Sequence, residues 1–152
     1  MNTSYKQTLL NLPVLEIREE ESPLCTTPEQ AADLLKDTRD LAQEVFSVIT
    51  IDVKNRHIKT HAVTVGTLNT CIAHPRDVFR AAIADNAAAL ILGHNHPSGD
   101  PTPSAEDIKV TKQMIGAGEV MGIKVLDHII IGRKGTQTDF ISLRECGLVK
   151  FC

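Results

Sequence analysis

The chain has no tryptophan, one tyrosine and four phenylalanines. With so few rings, aliphatic side chains and alanine must fill the core. Also missing is an apolar run of roughly 18 residues, the length of a membrane span. Near the start, Leu9-Leu10-Asn11-Leu12-Pro13 is too short and too interrupted to be the apolar region of a signal peptide. Cys25, Cys71, Cys146 and Cys152 contain no C-x-x-C pair, so neither a zinc ribbon nor a thioredoxin motif is indicated. Free thiols suit a reducing setting. Together these absences predict a cytoplasmic protein with no membrane association. Positive charge is not in excess either: 16 Lys and Arg stand against 19 Asp and Glu, a net charge of −3. That balance argues against a basic face for nucleic acid.

What is present is ordinary globular material: 152 residues, 42% of them hydrophobic, enough for one domain with one core. Residues 1–25 read as a polar N-terminal arm with the acidic run Glu19-Glu20-Glu21, and residues 26–152 as the domain. Within the arm, 13–17 alternates like a short strand.

The first helix is predicted from about 27 to 43. Thr26 or Thr27 caps it, Pro28 suits its first turn, and Ala31, Leu34, Leu35, Thr38, Leu41, Ala42 and Val45 form its apolar stripe. Strands at 45–53 and 57–66, joined by a turn with αL-tolerant Asn55, read as a hairpin. A loop covers 67–73. A second helix opens at His74-Pro75 and ends near Asp85-Asn86. A buried strand spans 87–93, a third helix 104–119, and strands follow at 123–132 and 139–143, with one helical turn at 144–147. The order α-β-β-α-β-α-β-β predicts an α/β fold: a mixed sheet flanked by helices, parallel where strand and helix alternate.

One stretch carries chemistry: His94-Asn95-His96-Pro97-Ser98-Gly99-Asp100-Pro101-Thr102-Pro103-Ser104-Ala105-Glu106-Asp107. Residues two apart in an extended segment point the same way, so His94 and His96 can converge. Two polar residues at an exposed strand end are the blander alternative. Asp107 is a third candidate ligand, although Ser104-x-x-Asp107 is also a helix-capping pattern. Pro97, Gly99, Pro101 and Pro103 make a stiff, folded loop that can bring the helix start beside the strand end. Two imidazoles, one carboxylate and an open fourth position would suit a tetrahedral Zn2+. Hydrolysis would also need a general base. Glu44, at the junction of first helix and first strand, is the candidate, with Glu106, Asp100 and Asp127 as competitors.

Other residues read as structural. His74 enters a helix. His57 and His61 share a strand face at the surface, with a small chance of a second metal site. His128 beside Asp127 sits on a strand. Nothing in the sequence lowers the pKa of Cys71. Asn95 and Ser98 could contact substrate or support the ligands.

The pattern His94-x-His96-x(7)-Ser104-x(2)-Asp107 resembles the JAMM metalloprotease motif at every specified position. The text from Gly93 to Ser104 is similar to the RadC branch of that superfamily, as are Lys54-Asn55-Arg56, His74-Pro75-Arg76, Asn86-Ala87-Ala88-Ala89 and Val125-Leu126-Asp127-His128. The likeness covers about residues 28–150. It implies a three-layer, cytidine-deaminase-like (JAB/MPN) fold and zinc held by His94, His96 and Asp107. It implies Glu44 as general base and Ser104 as donor to the developing oxyanion. The activity implied is hydrolysis of a peptide or isopeptide bond in a protein or peptide substrate. Longer RadC proteins carry an N-terminal helix-hairpin-helix region associated with DNA binding, and that region is expected to be missing here. The alternative is a non-catalytic or DNA-repair-associated zinc module. A metal-dependent nuclease fits less well, because such sites commonly use two metals. A free sheet edge would allow a homo-oligomer.

Overall fold

A computed structural model describes residues 22–66, 73–133 and 140–151 of the chain. The expected strand at 13–17, most of the N-terminal arm, most of the 67–73 loop, Cys71 and the start of the last predicted strand lie outside them.

Among the described residues, three α-helices and five strands follow the predicted order: α1 (Pro28–Leu34), β1 (Glu44–Ile51), β2 (His57–Gly66), α2 (Pro75–Ala84), β3 (Ala89–Asn95), α3 (Ala105–Met121), β4 (Lys124–Ile131) and β5 (Phe140–Ser142). The strands form one sheet in the order β2-β1-β3-β4-β5. β3 and β4 are parallel, joined through α3, and every other pairing is antiparallel. The architecture is a three-layer α/β fold with a mixed sheet.

Alternation along the central strands divides the core in two. Phe46, Val48, Leu90 and Leu92 face Val78, Phe79 and Ala82 of α2 and Val110 and Met114 of α3. Ile49, Ile51, Ile91, Ile129 and Ile131 face Ala31 and Ala32 of α1 and the following Leu35. β3 is thus buried on both faces along its whole length, the condition under which a strand reads as a continuous apolar run.

The first helix is much shorter than its stripe predicted. Thr27 caps it through a capping box with Gln30, and Pro28 begins it, but it ends at Leu34. A single 3₁₀ turn, Lys36–Thr38, follows. Leu35 drives into the sheet so closely that a Cβ on Gly93 would lie 2.3 Å from its Cδ1. The Thr38 hydroxyl then caps the Leu35 carbonyl at 2.8 Å. Beyond it Leu41 and Ala42 are exposed, so the second half of the predicted stripe is not a core face.

The hairpin turn matches its prediction. Asn55 has φ 60°, and Asp52 Oδ1 accepts from the backbone N–H of Lys54 and Arg56 at 2.8 and 2.9 Å. β1 ends two residues short of the predicted Val53, which is 84% exposed. The register of β1 on β2 slips between Thr50 and Ile51, where Thr50 pairs with Lys59 and Ile51 with His57. Ile58 is the extra residue of a β-bulge, and a bulge re-aims the side chains on either side of it.

α3 runs through Gly116 and Gly118 to a left-handed cap at Gly122, φ 70°. Gly118 is required by contact, since a Cβ there would come within 2.5 Å of the Ile123 carbonyl oxygen. Gly116 meets nothing within 4 Å. The last strand leads into the predicted turn at 144–147, closed by Cys146 N–H to the Ser142 carbonyl at 3.1 Å. Among the described residues, no helix is long and apolar enough to cross a membrane.

The two helical glycines should therefore respond oppositely to alanine. Gly116→Ala is expected to stabilise the fold by roughly 0.5–1 kcal/mol through helix propensity. Gly118→Ala is expected to destabilise it by about 1–3 kcal/mol through overpacking. Urea denaturation of the two variants checks both signs.

Candidate metal centre

The register of three strands brings the chemistry to one end of the sheet. Phe46 pairs with His94 across β1 and β3. Glu44, two residues earlier on β1, therefore projects on the same face as His94. The centre sits beyond the carboxyl end of β3, beside the start of α3, where open α/β sheets place ligands.

Glu44, His94, His96 and Asp107 each offer a ligand atom, and these atoms all lie within 4.8 Å of one another. His94 Nε2 is 3.1 Å from Asp107 Oδ1 and 3.5 Å from Glu44 Oε1. His96 Nε2 is 3.2 Å from Asp107 Oδ2 and 2.9 Å from His94 Nε2. Side-chain exposure rises across the cluster, from 2% at His94 through 14% at Asp107 and 16% at His96 to 28% at Glu44. His94 thus forms the buried end, and the open end carries the Glu44 carboxylate.

Asp107 combines the two readings its sequence position left open. Ser104 caps α3 by accepting from the Asp107 N–H at 3.1 Å, and Asp107 Oδ2 answers by accepting from the Ser104 N–H at 2.8 Å. Asp107 Oδ1 remains directed at His94. Burial works to raise the Asp107 carboxyl, but the two histidines beside it and the Ser104 N–H outweigh it and hold the group well below the usual carboxylate range. The positive end of α3 acts in the same direction.

The donor set suits a cation. His96 Nδ1 is 2.8 Å from the Asp100 carbonyl oxygen. A carbonyl only accepts, so the proton of a neutral His96 sits on Nδ1 and its Nε2 lone pair faces the cluster. Two imidazole nitrogens and two carboxylates within so small a space are the N and O ligand types that Zn2+ takes.

The competing carboxylates do not join this cluster. Asp100 is exposed and turns back onto its own loop, its Oδ1 accepting from the Thr102 N–H and hydroxyl at 3.0 and 2.7 Å. Glu106 is exposed on the first turn of α3. Asp127 is buried and accepts from the Ser142 hydroxyl at 2.6 Å and from the N–H of His128 and Arg144 at 2.7 and 3.1 Å. Burial leaves its carboxyl above the usual value.

The shared strand face expected for His57 and His61 is not formed, for a physical reason. The Ile58 bulge puts His57 opposite Ile51 and His61 opposite Val48, which face opposite layers. The two rings cannot share an ion. His61 is instead half-buried against Asp85 Oδ2 at 2.6 Å, an oxygen that also accepts from Thr50 at 2.6 Å. His74 precedes α2 as its N-cap, as expected. Burial pushes the Cys25 thiol up to about 11, which makes it an inert core group.

Two residues do more than their sequence positions suggested. Asn95 is fully buried. Its Oδ1 accepts from the Val45 N–H at 2.7 Å and its Nδ2 donates to the Gln43 carbonyl at 2.9 Å. One carboxamide thus grips the backbone on both sides of Glu44. His128 is fully buried, with its Nε2 2.7 Å from His94 Nδ1. Burial pushes its pKa well below the ordinary imidazole value. Thr111 escaped the sequence reading, although its place one helical turn after Asp107 puts it on the same face of α3.

The family model of the RadC-like JAB domain matches residues 25–148. The chain is 51% identical over 128 residues to a UPF0758 protein of Caldanaerobacter subterraneus subsp. tengcongensis, covering 83% of this chain and 53% of that protein. It is 49% identical over 123 residues to one from Desulforamulus reducens, covering 80% and 52%. The UPF0758 protein YsxA of Bacillus subtilis is 44% identical over 133 residues, covering 87% and 56%. The chain spans about half the length of these curated relatives. Their names state no activity.

The Asn95 grip makes a prediction that does not depend on activity. Asn95→Leu should leave the Val45 N–H and Gln43 carbonyl without their partner and cost about 1–3 kcal/mol of stability. Equilibrium unfolding measures the loss, and amide hydrogen exchange at Val45 should rise most. A Leu variant with unchanged exchange there would rule the grip out.

Proposed function

Because this chain belongs to the RadC-like JAB domain family, whose superfamily includes metallopeptidases, we propose that it is a zinc-dependent hydrolase that cleaves a peptide or isopeptide bond. The observation that carries this reading is the convergence of Glu44 with His94, His96 and Asp107 in one cluster, exposed on its Glu44 side. The amide class of substrate rests on the family likeness.

In this reading His94, His96 and Asp107 hold the ion and Glu44 is kept for proton transfer. When bound, zinc supplies a Lewis acid that makes water acidic near neutral pH and polarises a carbonyl. Glu44 then accepts the proton of the attacking water and delivers it to the leaving nitrogen. Its partial exposure lets it meet both water and substrate. The Asn95 grip on its flanking peptide groups fixes where its carboxylate stands. Ser104 accepts from the Asp107 N–H, which uses an oxygen lone pair and leaves its own O–H to donate to a developing oxyanion. Capping and catalysis therefore use different parts of one hydroxyl.

One observation favours a second reading. Glu44 Oε1 is close enough to His94 Nε2 to be a fourth ligand, which would close the site and leave a structural ion.

The unaltered protein is expected to bind about one zinc per chain, read by elemental mass spectrometry, and to lose hydrolysis of a linear and lysine-branched peptide library on chelation. Glu44→Gln separates the two readings. As a base, it keeps zinc affinity and loses roughly 100- to 10,000-fold in turnover. As a ligand, it loses zinc.

A further inference from the structure

At the buried end of the cluster, His94 is tied to a second imidazole. His94 Nδ1 is 2.7 Å from His128 Nε2, and His128 Nδ1 is 2.5 Å from Thr111 Oγ1. Thr111 Oγ1 is in turn 2.6 Å from the Asp107 carbonyl oxygen. His128 and Thr111 are both fully buried.

The position of every proton in this chain follows from its far end. A carbonyl oxygen only accepts, so Thr111 spends its single O–H on Asp107. The Thr111 oxygen can then only accept from His128, whose proton must sit on Nδ1. A neutral His128 protonated there has a bare Nε2, which accepts from His94 Nδ1–H. His94 Nε2 is left with its lone pair, directed at Asp107 and His96. The aromatic packing holds both rings in this pose: Phe46 stacks on His94 at 6.0 Å and meets His128 edge-on at 5.5 Å.

We propose that Thr111 and His128 are positioning residues that hold His94 in the Nδ1–H tautomer, so that Nε2 is its metal-binding atom. The proposal rests on the metal-centre reading above and deepens it. Ligating histidines commonly give their other N–H to a carboxylate, a carbonyl or water. Here the acceptor is another imidazole, whose own proton is fixed by a helix carbonyl. That carbonyl belongs to Asp107, so the chain closes on itself: Asp107 faces His94 with its side chain and anchors Thr111 with its backbone. Two of the three candidate ligands are thereby tied to one chain of hydrogen bonds.

Removing the Thr111 hydroxyl breaks this chain. His128 is then free to carry its proton on Nε2, where it confronts His94 Nδ1–H and drives the His94 proton onto the metal-facing nitrogen.

Long-range ¹H–¹⁵N spectra of the unaltered, metal-free protein report which ring nitrogen of each histidine is protonated. His128 is expected to show a proton on Nδ1 and a bare Nε2, and His94 a proton on Nδ1. A proton on His128 Nε2 overturns the proposal. Zinc affinity, measured by competition with a chromophoric chelator, is expected to fall about 10- to 100-fold in Thr111→Val. Thr111→Ser, which restores the hydroxyl, is expected to keep the original affinity. Unchanged affinity in Thr111→Val also overturns the proposal, while leaving the metal centre intact. If the unaltered protein takes up no zinc, the metal reading itself fails and takes the proposal with it. Should the valine variant not fold, the spectrum of the unaltered protein decides alone.

Discussion

The pairing of β3 with its two neighbours is the constraint on which the rest of this molecule depends. β3 is buried on both faces and lies between antiparallel β1 and parallel β4. Apolar residues along its length fix its register by burial, and a one-residue slip would invert every side chain. The residues at the end of the strand and just beyond it inherit that precision. His94 and His96 emerge toward the cluster, and Asn95 between them turns inward to hold the start of β1. The positions of a candidate ligand pair and of the candidate base are thus set by hydrophobic packing farther down the same strand.

The electrostatics follow from this placement. Asp107 is drawn between two imidazoles and the positive start of α3, and all three favour its anionic form. His128, in the same region, is kept neutral by burial. Charge is concentrated at the mouth of the site and absent from its floor. Where a carboxylate is a common partner for such a ring, the floor here offers His94 a neutral imidazole.

Much of this was legible in the chain itself. Element order, the turn at Asn55, the caps at Thr27 and Ser104, and the spacing of His94, His96, Ser104 and Asp107 are local signals with local causes. The misreadings all have non-local causes. The stripe of the first helix continues to Val45 in sequence, but Leu35 is taken up by a contact with Gly93, almost sixty residues away in the chain, and the helix stops. His57 and His61 keep an even spacing, but a bulge at Ile58, set by the partner strand, puts them on opposite faces. Thr111 is an ordinary mid-helix threonine until α3 is laid over β4. Asn95 sits inside the most recognisable stretch of the sequence, yet its grip on residues fifty positions earlier appears only in the sheet.

The capping box at the start of α3 has a consequence for dynamics. The carboxylate that closes the first turn is the same group that faces both histidines. Helix closure and ion retention are therefore reciprocal, each lending the other the same free energy. Helix ends are where secondary structure opens most readily. For any ion held in this cluster, fraying of that helical turn would withdraw the Asp107 carboxylate from the two histidines.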